Sequence, residues 1–338
     1  MSASYVFEAV DLGTMRPVRD ISPIITADVE AFVEQDIDSD IWTTGQCGFA
    51  GARQWLSQLI RVSRVEDGTK EILGTFFPSL TDVELLTREL ATGTIRLDGT
   101  LVALKSTLLP TSYVIASGAS AVEVIRDMCR LAGVHSDISA SEGNYRFPEA
   151  IFYDAGESAL SLASEAASLA HVRLVSDRLG YVTTRSVTSQ RGGEIFISGS
   201  SRTDLLSEVT KSYAFLTSPT RLIASYTAGD RSLFTSVGAE DSPQDAETRG
   251  RNFDTSLSVS TLPVDDLATL RAVAMEAFAE QQRETWGFVA EHRDIDAGDI
   301  ATVRDYDSGE ILEGQIQSVR TLLTGLSEQE IVVKGDLI

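Results

Sequence analysis

Several kinds of residue are scarce in this chain, and each scarcity removes a class of function. Among 338 residues there are two cysteines, Cys47 and Cys129, with no C-x-x-C spacing. That argues against a disulfide framework or a thiolate metal site. The three histidines, His135, His171 and His292, stand apart from one another and outside any H-E-x-x-H pattern, so neither zinc binding nor histidine acid–base chemistry has a paired candidate. No G-x-S-x-G, P-loop or G-x-G-x-x-G motif occurs, and no cofactor is expected. No stretch approaches the roughly 18 apolar residues of a membrane helix. The opening MSASYVFEAV lacks the basic start and long apolar run of a signal peptide, so synthesis in a cytoplasm is expected.

Positive charge is scarce too. Lys plus Arg is 28 against 50 for Asp plus Glu, a net charge of −22, and only Lys70, Lys105, Lys211 and Lys334 are lysines. So acidic a chain repels phosphate backbones and anionic lipid. The deficit is sharpest near the start. From Asp20 to Ala52 there are seven acidic residues and no Lys or Arg.

What is present is ordinary globular material: 43% hydrophobic and 23% charged, in a length that suggests two to four domains. Alternation through Trp55, Ser57, Leu59 and Arg61, with Asp67-Gly68 as a tight turn, predicts a hairpin whose return strand reaches Phe77 and stops at Pro78. VELLTREL, GTIRLDGTLVALK and LLPTSYVI read as further strands, with Asp98-Gly99 as another turn. The period then changes to helical. Ser120 and Glu123 form a capping box, Val122, Ile125, Cys129 and Ala132 share a face, and Gly133 stops the helix. A second helix is predicted from about Glu157 to Ala170, then a hairpin around Asp177 to Gly180. EIFISG, SYAFLT, TRLIASYTA and SLFTSVG follow as strands. A third helix carries Pro263 and two aspartates, Asp265 and Asp266, in its first turn. Its apolar stripe is Leu267, Leu270, Ala274, Ala277 and Phe278. Short strands with Asp-x-Gly turns close the chain.

Two acidic clusters invite a metal reading: DIDSD (Asp36, Asp38, Asp40) and DIDAGD (Asp294, Asp296, Asp299). Neither has the twelve-residue layout and closing Glu of a calcium hand. The second reads better as a turn entering a strand, with Gly298 supplying the bend. No metal ligand set and no catalytic residue is assigned.

Three stretches, taken in order, carry a resemblance. The first runs from ILGTFFPSL through Tyr113, Ile115 and Gly118 to a helix ending Leu131, Ala132, Gly133, Val134. The second is FYDAGESALSLASEAASLAHVRLVSDRLGYVTTRSV. The third is IDAGDIATVRD…SGEILEGQIQSVRTLL. Together they resemble siphophage minor tail proteins of the baseplate-hub or tail-tip class, which are similar to the contractile-tail baseplate hub protein and occur also in gene transfer agents. Ala297 departs from the pattern, since the family often has proline there. With the given sequence closing at Ile338, soon after the last strands, no appended peptidase or lysozyme domain is expected.

The resemblance implies a mixed, β-rich α+β fold. Residues 1–112 would form one small β-barrel-like tube domain and 113–190 an inserted α/β module. Residues 191–338 would hold a second barrel-like tube domain with a long helix near 264–283. Three copies would close a ring that joins the tail tube to the tip or receptor-binding apparatus of a virion and lets DNA pass without specific binding. Its partners would be distal-tail or tube ring proteins, the tape measure protein and tip or fibre proteins; the chain itself would be made in the host cytoplasm and end in the virion's tail tip. A passage for DNA must not hold DNA, so Asp28, Glu30, Glu34, Asp36, Asp38 and Asp40 become candidates to face the lumen; the plain alternative is a solvated loop. Two rival readings are a tail-tip enzyme cleaving cell-wall or surface glycan through paired carboxylates, and a neighbouring sixfold tail-tip (distal tail) ring protein.

Overall fold

Period-two alternation of apolar residues dominates the structure, a computed structural model that describes residues 3–26, 31–52, 58–85, 90–138, 145–147, 150–186, 193–200, 203–212, 219–228, 231–238, 253–259 and 266–338. The first part is all strand: β1 (Ser4–Asp11), β2 (Arg16–Asp20), β3 (Ile25–Thr26), β4 (Phe32–Asp36), β5 (Thr43–Ala52), β6 (Leu59–Glu66), β7 (Thr69–Leu85) and β8 (Leu90–Gly99). Next come α1 (Leu101–Ser106), β9 (Tyr113–Ile115), α2 (Ala121–Ala132), β10 (Ile151–Tyr153), α3 (Ala159–Leu169), β11 (Val172–Ser176) and β12 (Val182–Ser186). The last part holds β13 (Glu194–Ser198), β14 (Thr210–Ser212), β15 (Arg221–Ala228), β16 (Arg231–Gly238), β17 (Asp254–Val259), α4 (Leu267–Gln282), β18 (Glu284–Glu291), β19 (Ile300–Asp305), β20 (Glu310–Leu322) and β21 (Glu328–Leu337).

The fold is β-rich, built on one large, mostly antiparallel sheet of 14 strands. Its path is β14-β18-β21-β20-β4-β5-β8-β7-β6-β1-β2. β4 pairs antiparallel with β20, Phe32 opposite Leu322 and Asp36 opposite Ser318, so strands from the two ends of the chain share one sheet. Among the described residues this path is open and no barrel closes. Two apolar clusters cover its inner face. One contains Val33, Cys47, Phe49, Ile95 and Leu97, the other Trp286, Phe288, Leu312, Val319, Ile331 and Val333.

The stretch from α1 to β12 has its own core. Leu104, Ile125, Ala163, Ala166 and Val182 are fully buried there. α2 ends as expected: Gly133 adopts φ +69, a left-handed cap that a residue without Cβ takes freely. Ser120 stands at its N-cap, but its side chain makes no capping bond. α3 is capped by Ser158, whose side chain accepts from the Ser161 N–H.

Several local expectations are corrected. LVALK was read as strand and is helix, because Leu101 and Leu104, three apart, both point into the module core. Asp98 and Gly99 accordingly end β8 instead of turning a hairpin. Pro78 does not stop β7, which runs on to Leu85. β6 pairs with β7 only as far as Phe76, and beyond it Pro78 faces Leu97 of β8 alone, an edge where a missing N–H can face the unpaired side. Asp266 is the N-cap of α4, accepting from the Thr269 N–H, and not a first-turn residue. Pro263 and Asp265 lie outside the described residues. Leu267 is exposed, leaving Leu270, Ala274 and Phe278 as the buried stripe.

Candidate functional site

The outer face of the large sheet gathers carboxylates. Glu34 on β4 stands opposite Arg320 on β20, and Arg320 opposite Glu330 on β21. One row of the sheet thus reads Glu, Arg, Glu. The Arg320 guanidinium lies 3.9 Å from the centre of the Phe32 ring, and its Nη1 is 3.5 Å from Glu330 Oε2. Burial pushes the half-buried Glu34 carboxyl above its ordinary range. Asp36 and Glu330 push the same way, and Arg320 opposes them. Alternation places Asp36 and Glu328 on this same face, with Glu291 across from Glu328. Lys334, Arg304 and Arg96 are further cations there.

Of the six acidic candidates, Glu34 and Asp36 therefore share this face. Asp38 and Asp40 lie in the loop that follows. There Asp36 accepts from the Asp38 N–H at 2.8 Å, and Asp40 pairs with Lys105 of α1 at 2.9 Å. The loop has a structural duty as well, since it carries Trp42 at φ +63 into the α1–β12 core, where it is buried. Asp28 and Glu30 lie outside the described residues.

On the opposite side of these strands, where Gln35, Thr321 and Gln329 point, three parts of the chain meet in a polar joint. Glu71 of β7 sits at its centre. His292, whose side chain is 5% exposed, binds Glu71 Oε2 through Nε2 at 2.8 Å. Arg178, from the turn between β11 and β12, reaches Glu71 Oε1 at 3.0 Å, Asp294 at 2.8 Å and Asp296 at 2.8 Å. Arg64 Nη1 stands 3.8 Å from Glu71 Oε2. Burial works against the Glu71 charge, but the His292 bond and the Arg178 and Arg64 charges prevail and hold its carboxyl below the ordinary range. Asp296 is held down likewise, by Arg178 and a Gln35 hydrogen bond against the cost of burial. Arg185 adds bonds to the Ala297 carbonyl at 2.7 Å and to Asp299.

DIDAGD is therefore a turn whose carboxylates clamp the β11–β12 hairpin through arginines. Its Ala297 N–H donates to Gln35 Oε1 at 3.0 Å. A proline at this position would lose that bond. An open cleft of about 440 Å³ borders the joint, lined by Trp42, Ser176, Asp177, Thr184, Arg185 and Asp294 among others. Asp177 accepts from the Tyr181 N–H at 2.7 Å and serves the hairpin turn. His135 contacts the Leu12 carbonyl at 2.9 Å. Burial pushes both thiols, Cys47 and Cys129, up to about 12, far from a reactive thiolate.

Sequence reasoning missed Glu71, His292, Arg178, Arg320 and Glu330. Nothing local marks them, because their partners lie on other strands.

No protein-family model and no curated protein sequence matches the chain. Solved structures do match its fold. A prophage tail protein from Shewanella oneidensis aligns with a TM-score of 0.67 at 11% identity, over 98% of this chain and 98% of that one. A tail protein from Neisseria meningitidis gives 0.67 at 12% identity, over 98% and 97%. A prophage tail protein from Listeria monocytogenes gives 0.58 at 12% identity, over 98% and 94%. The chain thus has, along nearly its whole length, a fold found in phage tail proteins.

Proposed function

We propose that this chain is a structural protein of a phage tail tip: a hub ring that joins the tail tube to the tip or receptor-binding apparatus. The observation that carries this reading is the end-to-end match with a prophage tail protein, in which 98% of each chain is used. In a ring of three copies, residues 1–112 and 191–338 would supply the tube parts and 113–190 the outer module. Distal-tail, tape measure and tip or fibre proteins would be the neighbours above and below.

The acidic face fits a bore. Across β4 and β18–β21, Glu34, Asp36, Glu291, Glu313, Glu328, Glu330 and Asp336 outnumber Arg304, Arg320 and Lys334 on it. A wall of this charge gives DNA phosphates no counterion-releasing grip. Asp38 and Asp40 would lie at its rim.

Nothing specific favours the glycan-cleaving alternative. That chemistry needs two carboxyls free to face a sugar, and in the cleft Asp294 and Asp296 are held by Arg178.

The test is the purified assembly. A mass of about 110 kDa, three times 36.5 kDa, with a central hole in electron micrographs, is expected. Six copies would favour a distal-tail ring. A monomer that clears cell-wall material would overturn the proposal.

A further inference from the structure

One titratable group of the polar joint is only half used. His292 commits Nε2 to Glu71 at 2.8 Å, while its buried Nδ1 has no hydrogen-bond partner among the described residues. The ring is held in place from its own backbone. The His292 N–H donates to the Ser327 carbonyl at 2.8 Å. The next residue, Arg293, is gripped on both its N–H and its carbonyl by the Gln329 amide, at 2.9 and 3.2 Å.

The same cavity of about 20 Å³ is lined by two side chains that still have a proton to give. Thr321, 5% exposed, stands between Val33 of β4 and Gln329 of β21. Its oxygen accepts from Gln329 Nε2 at 3.2 Å, and its own hydroxyl proton meets no acceptor among the described residues. Gln35 gives one Nε2 proton to Asp296 at 2.9 Å and accepts from the Ala297 N–H, which leaves its second Nε2 proton uncommitted. One buried acceptor and two buried donors therefore border a single small space. Groups of this kind are costly to leave unmade.

The geometry points to a binding site for water: we infer that one structural water sits between His292, Thr321 and Gln35, donating to Nδ1 and accepting from the Thr321 hydroxyl and the Gln35 amide. The volume suits about one water, and three partners are the usual number for a buried one. Other small occupants fit worse. A halide needs donors, and Nδ1 presents a lone pair. A metal ion would lie against the Arg178 guanidinium, which lines the same cavity.

The water also fixes the form of the imidazole. The Glu71 carboxyl is held below its ordinary range, so it accepts, and Nε2 carries the proton between them. Nδ1 is then the acceptor that the water satisfies. Gln35 lies on β4, Thr321 on β20 and His292 just past β18, so the site is complete only where strands from the two ends of the chain have joined. It lies within one copy and is independent of the ring reading.

The test is a crystal structure fine enough to show ordered water, with nitrogen-15 spectra of the His292 ring. One water within about 3.2 Å of both Nδ1 and Thr321 Oγ1 is expected, with Nδ1 unprotonated. Thr321→Ser keeps the hydroxyl and should keep the water. Thr321→Val has the same shape without the hydroxyl and should lose it, with about a tenfold fall in the folding equilibrium constant. If Thr321→Val does not fold, the wild-type map and spectra decide alone. A dry cavity in the wild type, a protonated Nδ1 bonded directly to a protein oxygen, or a water that stays in place in Thr321→Val would overturn the inference and leave the tail-hub reading standing.

Discussion

His292 and Glu71 lie 221 residues apart and share a hydrogen bond of 2.8 Å. The bond closes a joint between β7, the β11–β12 hairpin and the turn before β19. His292 Nδ1 has no partner among the described residues. It borders a cavity of about 20 Å³, lined in part by Gln35, Thr321 and Gln329, enough for one water.

Glu71 gives the joint a pH dependence of defined sign. Its carboxyl is held below the ordinary 4.5. A depressed carboxylate stabilises the fold above its unfolded value and loses that contribution as pH falls through the folded value. Stability should therefore fall as pH drops below about 4.5. Glu71→Gln should lower stability at pH 7 by about 1–3 kcal/mol, and its acid loss should be shallower. Urea unfolding from pH 7 to pH 3 measures both.

Gly180 ends the hairpin turn at φ +92, and a Cβ there would stand 2.8 Å from Met15 Cε and 3.0 Å from Thr75 Cβ. Gly180→Ala meets backbone strain and crowding together, a cost of about 1–3 kcal/mol. The hairpin should also lose amide protection, because Arg61 and Thr75 bind the Leu179 and Arg178 carbonyls beside it.

Lys211 fills the place of a cation at the β19–β20 turn. Its Nζ is 2.6 Å from Asp305, 2.5 Å from Glu310 and 4.5 Å from the Trp286 ring centre. Both carboxyls lie below their ordinary values: Asp305 against the pull of burial, Glu310 chiefly through the Lys211 bond. Lys211→Met should raise both. A carbon-detected NMR titration of the two carboxyls checks this, and unmoved values would contradict the assignment.

Ala297→Pro removes a backbone donor from the turn before β19. Here it should destabilise by about 1–2 kcal/mol, because the Gln35 bond to the Ala297 N–H is lost. Gln35→Leu in the same background should add less than it costs alone, as a double-mutant cycle would show.

Much of this architecture was legible in the residues. Alternation marked the strands, and Gly133 and Gly180 fixed the two stops that local geometry can fix. α1 escaped because a six-residue apolar segment reads equally as strand; only the core it meets decides. The joint and the Glu34–Arg320–Glu330 row were illegible for a different reason. Their members are drawn from strands hundreds of residues apart, and register across a sheet leaves no local trace. The acidic opening was visible as composition, whereas its division between a sheet face (Glu34, Asp36) and a core-sealing loop (Asp38, Asp40) was not.

The central claim is that this sheet lines the bore of a ring. Its most direct test is an electron cryomicroscopy map of the purified assembly, fine enough to place β4, β20 and β21. Glu34 and Glu330 should face a central channel in each copy. A channel lined by other strands, with this row on the outer surface, would contradict the account.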